Sequence, residues 1–259
     1  MNDEYLEVII LGSGTCVPSI RRAGPAQCLI AGGVTILIDS SAGTLRQLLK
    51  AGIKQDQVDL VLYTHFHPDH TGELVPFIFA SKYGPGFKRK APVFVWGAEG
   101  LKDLLQGLEA AYGEWARPAN DTIIFEEIPV GLKTVQQFPP LTISTIHTNH
   151  TPQSLAYRIE GPSGKSVVFS GDTDFCDEIV ELSDGADLLV LECAAPEHKK
   201  VKGHMTPSEA GIIAQKARVK RLLLTHFYPE CDNSDILTPC KAKYHGPVIL
   251  AEDLMRMVI

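Results

Sequence analysis

Short apolar runs punctuate this chain, and several of them end in a residue able to do chemistry. Leu60-Val61-Leu62-Tyr63 leads into His65-Phe66-His67-Pro68-Asp69-His70. Val167-Val168-Phe169-Ser170 leads to Gly171-Asp172, Leu188-Leu189-Val190-Leu191 to Glu192, and Leu222-Leu223-Leu224-Thr225 to His226. The segment from Leu141 to Thr148 leads to Asn149-His150. Such runs, bounded by polar residues, predict buried strands whose ends open into loops, where an α/β scaffold presents its functional groups. Val93-Phe94-Val95-Trp96 reads as a further strand, and Gly161-Pro162-Ser163-Gly164 as a hairpin turn.

Helical patterns lie between the strands. From Glu99 to Trp115, Leu101, Leu104, Leu105 and Leu108 recur at helical spacing, which predicts a helix with its leucine stripe in the core. Ordinary packing is expected for Tyr112 and Trp115. Thr206-Pro207-Ser208-Glu209 combines an N-cap, a proline at the first helical position and a capping box. The helix should then run through Ala210, Ile213, Ala214 and Ala217, which fixes His204 just ahead of a rigid element.

The stretch His65 to His70 packs three imidazoles and a carboxylate into one short loop. Neutral imidazole and carboxylate are the donors that a borderline divalent cation such as zinc prefers. His65 and His67, two apart, can face the same side of an extended segment while Asp69 and His70 continue round the turn. Four donors from one loop suggest more than one ion. The strand-end residues His150, Asp172 and His226 are positioned to complete a binuclear site at one end of a sheet.

The chain also echoes itself. Leu62-Tyr63-Thr64-His65-Phe66 is nearly repeated as Leu223-Leu224-Thr225-His226-Phe227, and Ile36-Leu37-Ile38-Asp39 has a looser parallel in the run ending at Asp172. Two related half-domains sharing a cleft would explain the echo; coincidence between common strand letters is the alternative.

Composition narrows the class. The 259 residues suffice for a single α/β domain, 1–259, with a substantial core, and no linker divides them. The net charge is −7, with local basic spots at Lys88-Arg89-Lys90, Lys199-Lys200-Lys202 and around Arg218-Lys220-Arg221. Proteins that grip long nucleic acid usually carry a basic stripe, so the balance counts against a long RNA substrate. The six cysteines form no C-x-x-C pair. Free thiols are expected, with a structural metal at Cys231 and Cys240 as the alternative. The acidic start Met1-Asn2-Asp3-Glu4 and the short run Val8 to Leu11 do not make a signal peptide, and no run approaches a membrane span. A cytoplasmic protein without membrane partners is expected.

His65, His67, Asp69 and His70, followed in order by His150, Asp172 and His226, resemble the metallo-β-lactamase fold superfamily. Leu11-Gly12-Ser13-Gly14-Thr15, Ile38-Asp39 with Gly43-Thr44, and Ala251-Glu252-Asp253-Leu254 resemble its ribonuclease Z and phosphodiesterase branch. The resemblance covers essentially the whole chain. It implies a four-layer αββα sandwich with an internal two-fold pseudo-repeat and two divalent ions. Zinc is the expected metal, with manganese or iron as alternatives. His65, His67 and His150 would hold one ion and Asp69, His70 and His226 the other. Asp172 would bridge them, with a water between, and Asp39 would orient ligands. His150 is preferred over His147 because Tyr157 stands at the family's distance beyond it. Glu192 and His204 match a pair that binds phosphate and protonates the leaving group, and Asp69 would accept the water's proton. An iron redox role is disfavoured because His67 stands where diiron relatives place a glutamate.

Within that branch, enzymes that process transfer RNA commonly carry a Gly/Pro-rich arm. In one form it lies between the positions matching His150 and Asp172, where this chain has only the Gly161–Gly164 turn. The reading is therefore a metal-dependent phosphodiesterase for a small or short substrate. The alternatives are a transfer-RNA 3′-end endoribonuclease, which a homodimer partner could assist, and a lactonase or thioesterase. A binding module without turnover is a further alternative, disfavoured by Asp69, Asp172 and His204.

Overall fold

The computed structural model describes residues 5–84, 91–119, 122–131 and 133–259. The basic run Lys88-Arg89-Lys90 and the acidic start Met1 to Glu4 lie outside them. Fourteen strands are present among the described residues: β1 (Leu6–Gly12), β2 (Ala26–Ala31), β3 (Val34–Ile38), β4 (Leu60–Leu62), β5 (Val93–Ala98), β6 (Ile123–Ile128), β7 (Thr134–Phe138), β8 (Leu141–His147), β9 (Leu155–Glu160), β10 (Ser166–Phe169), β11 (Leu188–Glu192), β12 (Leu222–Thr225), β13 (Val248–Leu250) and β14 (Arg256–Val258). Helices α1 (Thr44–Lys50), α2 (Pro68–Thr71), α3 (Leu74–Tyr83), α4 (Leu101–Tyr112), α5 (Asp177–Leu182), α6 (Pro207–Lys216) and α7 (Leu237–Lys241) flank them.

The strands form two seven-stranded sheets, ordered β14-β1-β2-β3-β4-β5-β6 and β13-β12-β11-β10-β9-β8-β7. In the first, three antiparallel pairings are followed by the parallel pairings β3·β4, β4·β5 and β5·β6. The second runs in the same sense, antiparallel from β7 to β10 and parallel from β10 to β13. The two halves thus share one topology. In it, β3 corresponds to β10, which makes Asp39 the counterpart of the Asp172 region. The Thr-His-Phe echo does not follow the repeat, because β4 corresponds to β11 whereas His226 follows β12. Any buried parallel strand that delivers a histidine at its end is written in similar letters.

Continuous apolar runs arise because both faces of the parallel strands are covered. Along β1, Leu6, Val8 and Ile10 join the core between the sheets, while Ile9 and Leu11 join a second core under the helices of the first half. In the second half, Ile179 and Leu182 of α5 and Ala210, Ile213 and Ala214 of α6 are buried in the main cluster. The predicted helix near Glu99 begins at Leu101, after Gly100 in a left-handed conformation, where Glu127 Oε1 accepts the Gly100 and Lys102 amides. It ends at Tyr112. Leu104, Leu105 and Leu108 pack against the second core as expected. Tyr112 and Trp115 are exposed instead of packed; Trp115 meets Phe79 and Tyr83 on the surface. Thr206, Pro207 and Glu209 form the predicted capping box and helix start. Among the described residues no helix is long and apolar enough to cross a membrane.

Candidate metal centre

Asp39 launches the site. It follows β3 with φ 56°, and its carboxylate accepts the Thr64 amide and hydroxyl, both at 2.8 Å. These bonds turn the chain off the end of β4. The next residues stay extended to His67, and Pro68 then starts the single-turn helix α2. An extended His67 followed by a helical turn splits the motif: His65 and His67 fall in one donor group, Asp69 and His70 in another. Gly171 brings the second sheet onto this loop. Its φ is 57°, and a Cβ there would lie 2.5 Å from the Thr64 Cβ, so only glycine allows the approach. His226, at φ 62°, is set from the other side by the Phe227 amide on the Ser13 carbonyl. Asp253 in turn accepts the Ser13 amide and hydroxyl and the Ala23 amide, so the two quoted end segments meet behind the site.

Two donor groups result. His65, His67, His150 and Asp172 present ligand atoms within 4.8 Å of one another, and so do Asp69, His70 and His226. His67 Nδ1 lies 3.0 Å from His65 Nε2 and 3.2 Å from His150 Nε2. Zinc–nitrogen bonds of 2.0–2.1 Å in a tetrahedron put neighbouring nitrogens about 3.3 Å apart, close to these separations. Asp172 reaches both groups. Its Oδ2 lies 3.8 Å from His65 Nε2, 3.7 Å from His150 Nε2 and 3.4 Å from His70 Nε2, and its Oδ1 3.3 Å from His226 Nε2.

Burial and bonding set the donors' state. Burial holds His65 and His150 below the ordinary imidazole range and pushes His226 down to about 4, which leaves neutral rings with a lone pair to donate. Burial would lower His70 too, but the flanking Asp172 and Asp39 carboxylates hold it well above. His70 Nε2 and both His226 ring nitrogens are buried without a hydrogen-bond partner. Buried polar atoms are otherwise nearly always satisfied. Orphaned nitrogens aimed at carboxylates fit a bound cation, and the all-N/O donor set suits a divalent one.

Two of the outward nitrogens are held by protein. His70 Nδ1 meets Asp39 Oδ2 at 2.7 Å, and His150 Nδ1 donates to the Gly203 carbonyl at 2.8 Å. Such partners fix the orientation of ligand rings. His147 ends β8 and contacts the Thr151 carbonyl at 3.2 Å, outside both donor groups. Cys231 and Cys240 belong to no donor group among the described residues. Burial pushes them up to about 12 and about 11, which keeps them as thiols.

His204 stands over the cluster, its ring 4.8 Å from that of His150 and stacked 5.5 Å from that of His226. Its Nδ1 lies 2.9 Å from Glu192 Oε1. Glu192 also accepts the Thr173, Ala194 and Met205 amides at 2.8, 3.2 and 3.1 Å. Burial pushes the Glu192 carboxyl up to about 7; burial also lowers His204, but the bond and charge of Glu192 outweigh this and raise it. Three backbone amides converging on the carboxylate favour its charged form and so the protonated form of His204 beside it. The third donor group, Asp172, His204 and His226, was not legible in the sequence; nor were the roles of Thr64, Gly171 and Gly203. A Gly directly before Asp172 was the only local signal among them.

A family model described as a β-lactamase superfamily domain matches residues 34–227. Ribonuclease Z of Mycobacterium bovis (strain BCG / Pasteur 1173P2) is 30% identical over 243 residues, covering 86% of each chain. The metallo-β-lactamase fold protein YhfI from Bacillus subtilis superposes with a TM-score of 0.83 at 24% identity, covering 98% of this chain and 100% of its own. The short form of human tRNase Z gives 0.79 at 23% identity, covering 97% and 98%. Paired seven-stranded sheets, flanking helices and a His/Asp cluster that suits divalent metal therefore agree with the sequence match: this chain belongs to the metallo-β-lactamase superfamily, in its ribonuclease Z-like branch of metal-dependent hydrolases.

Proposed function

We propose that the chain is a binuclear phosphodiesterase for small or short substrates. His65, His67 and His150 would hold one ion and Asp69, His70 and His226 the other, with Asp172 shared between them; zinc suits the donor set best. Bound there, the ions supply activation of water and neutralisation of phosphoryl charge. The chain's own residues do the rest. Asp69 accepts the proton of the attacking water. His204, kept protonated by Glu192, hydrogen-bonds the phosphoryl group and protonates the departing oxygen. The observation that carries this reading is the 2.9 Å His204–Glu192 pair set against the donor cluster. An acid in that place serves a poor leaving group such as a ribose hydroxyl, which favours phosphodiesters over lactones or thioesters.

Two features favour a small substrate: the net charge of −7, and the turn at 161–165, which joins β9 to β10 as a plain hairpin closed by the Gly161 amide on the Lys165 carbonyl. The second reading, transfer-RNA 3′-end processing, draws support from the 30% identity with a ribonuclease Z over 86% of the chain. Zinc-loaded protein assayed on aryl and alkyl phosphodiesters, a lactone and precursor transfer RNA decides between them. Turnover of the diesters with weak RNA processing at physiological salt is expected. Efficient, position-specific 3′ trimming at submicromolar enzyme would establish the endonuclease instead.

A further inference from the structure

Asp174 lies two residues beyond Asp172 and outside every donor group. It pairs with Asn149 in an isolated antiparallel bridge, its amide donating to the Asn149 carbonyl at 2.8 Å. That bridge joins the Asp172 loop to the loop that carries His150. Three donors converge on the Asp174 carboxylate: the adjacent Phe175 amide at 2.8 Å and, from a distant loop, the Gly203 amide at 3.1 Å and Lys200 Nζ at 2.6 Å. Lys200 also reaches Glu209 Oε2 at 2.5 Å, the oxygen that accepts the Thr206 amide in the α6 capping box. The loop before His204 is thus tied at two points.

Gly203 is the hinge of this arrangement. Its φ is 84°, and a Cβ there would lie 3.0 Å from His150 Nδ1. Its amide is held by Asp174 while its carbonyl accepts His150 Nδ1, and the next residue is His204. One carboxylate therefore controls a glycine that sets a metal-ligand ring on one side and the acid on the other.

We propose that Asp174 is a positioning residue, with Lys200 as its tether: it sets His150 and His204 against Asp172 by clamping Gly203. This rests on the phosphodiesterase reading for its kinetic consequence only. The Asp174 and Lys200 side chains keep 23% and 34% of their exposure, so solvent screening makes the pair a weak contributor to stability. A carboxylate is required because only acceptors suit three N–H donors. An asparagine would turn an NH₂ group towards one of them.

The test uses zinc-loaded Asp174→Asn and Lys200→Met beside the unaltered protein. For Asp174→Asn, kcat on an alkyl phosphodiester should fall about a hundredfold, as a displaced acid requires, with KM nearly unchanged. The loss on a nitrophenyl diester should be several-fold smaller. Zinc release to a chelator should quicken about tenfold, and amide exchange at Gly203 should rise. Lys200→Met should move each readout the same way by less. Wild-type zinc release and Gly203 exchange in both variants would overturn the proposal, as would equal kinetic losses on both diesters accompanied by a lowered Tm. If the unaltered protein cleaves neither diester, the phosphodiesterase reading fails, while zinc release and Gly203 exchange still decide the role of Asp174.

Discussion

The donor group of His65, His67 and His150 opens to a rim at His67, whereas the inner group of Asp69, His70 and His226 opens only at Asp69. His67 is exposed and His150 partly so, although His65 is fully buried; His70 and His226 are 1% and 4% exposed and Asp69 is partly exposed. Their supports differ in the same way. His70 leans on Asp39, a fully buried carboxylate that is itself pinned by Thr64 at the end of the first sheet. His150 leans on the Gly203 carbonyl, part of a loop that crosses from the second half. The inner group is therefore braced from the first sheet through Asp39. The rim group depends on the loop that also carries His204, so on the proposed function exchange of its ion and placement of His204 would be linked.

Asp172 is where the comparison breaks most completely, because its carboxylate oxygens face nitrogens of both groups. Asp172→Ala should cost on the order of a thousandfold in kcat. Metal analysis should show at least one of two ions lost, with an unchanged far-ultraviolet circular dichroism spectrum. Full turnover with both ions retained would end the bridging assignment.

Removing the acid should sharpen the contrast between chemistry and ligation. His204→Ala should slow alkyl diesters about a hundredfold and nitrophenyl diesters much less, with metal content intact. A raised imidazole pKa keeps His204 protonated to higher pH, so kcat on the alkyl diester should fall as pH rises through that value. Glu192→Gln removes the charge that lifts His204 and should shift this alkaline limb to lower pH. A limb that stays in place would assign the titration to another group.

The smallest effect tests the supports. Stripping zinc with a chelator should be biphasic, the rim ion leaving first. Asp39→Asn should quicken only the slow phase, by about tenfold. Acceleration of the fast phase alone would reverse the assignment of inner and rim groups.

Much of this centre was legible because its donors follow local rules. His65 to His70 are contiguous, and His150, Asp172 and His226 each follow a strand that its apolar letters announce. The capping box at Thr206 and the hairpin at Gly161 were readable for the same reason. The echo between the Thr-His-Phe segments misled, since it matches β4 with β12 where the sheets match β4 with β11. The exposure of Tyr112 and Trp115 was likewise hidden, because helical spacing says which face is apolar but not where the covering element stops.

By itself the sequence determined the periodicities, the caps and the donor types, all of which depend on neighbours a few residues away. Only the tertiary structure decided that Gly203 supports His150 and that Asp174 joins three loops. Those contacts depend on strand order and on φ values at single residues such as Gly171 and Gly203. Parallel register and sheet-to-sheet packing bring together groups that no local pattern in the chain relates.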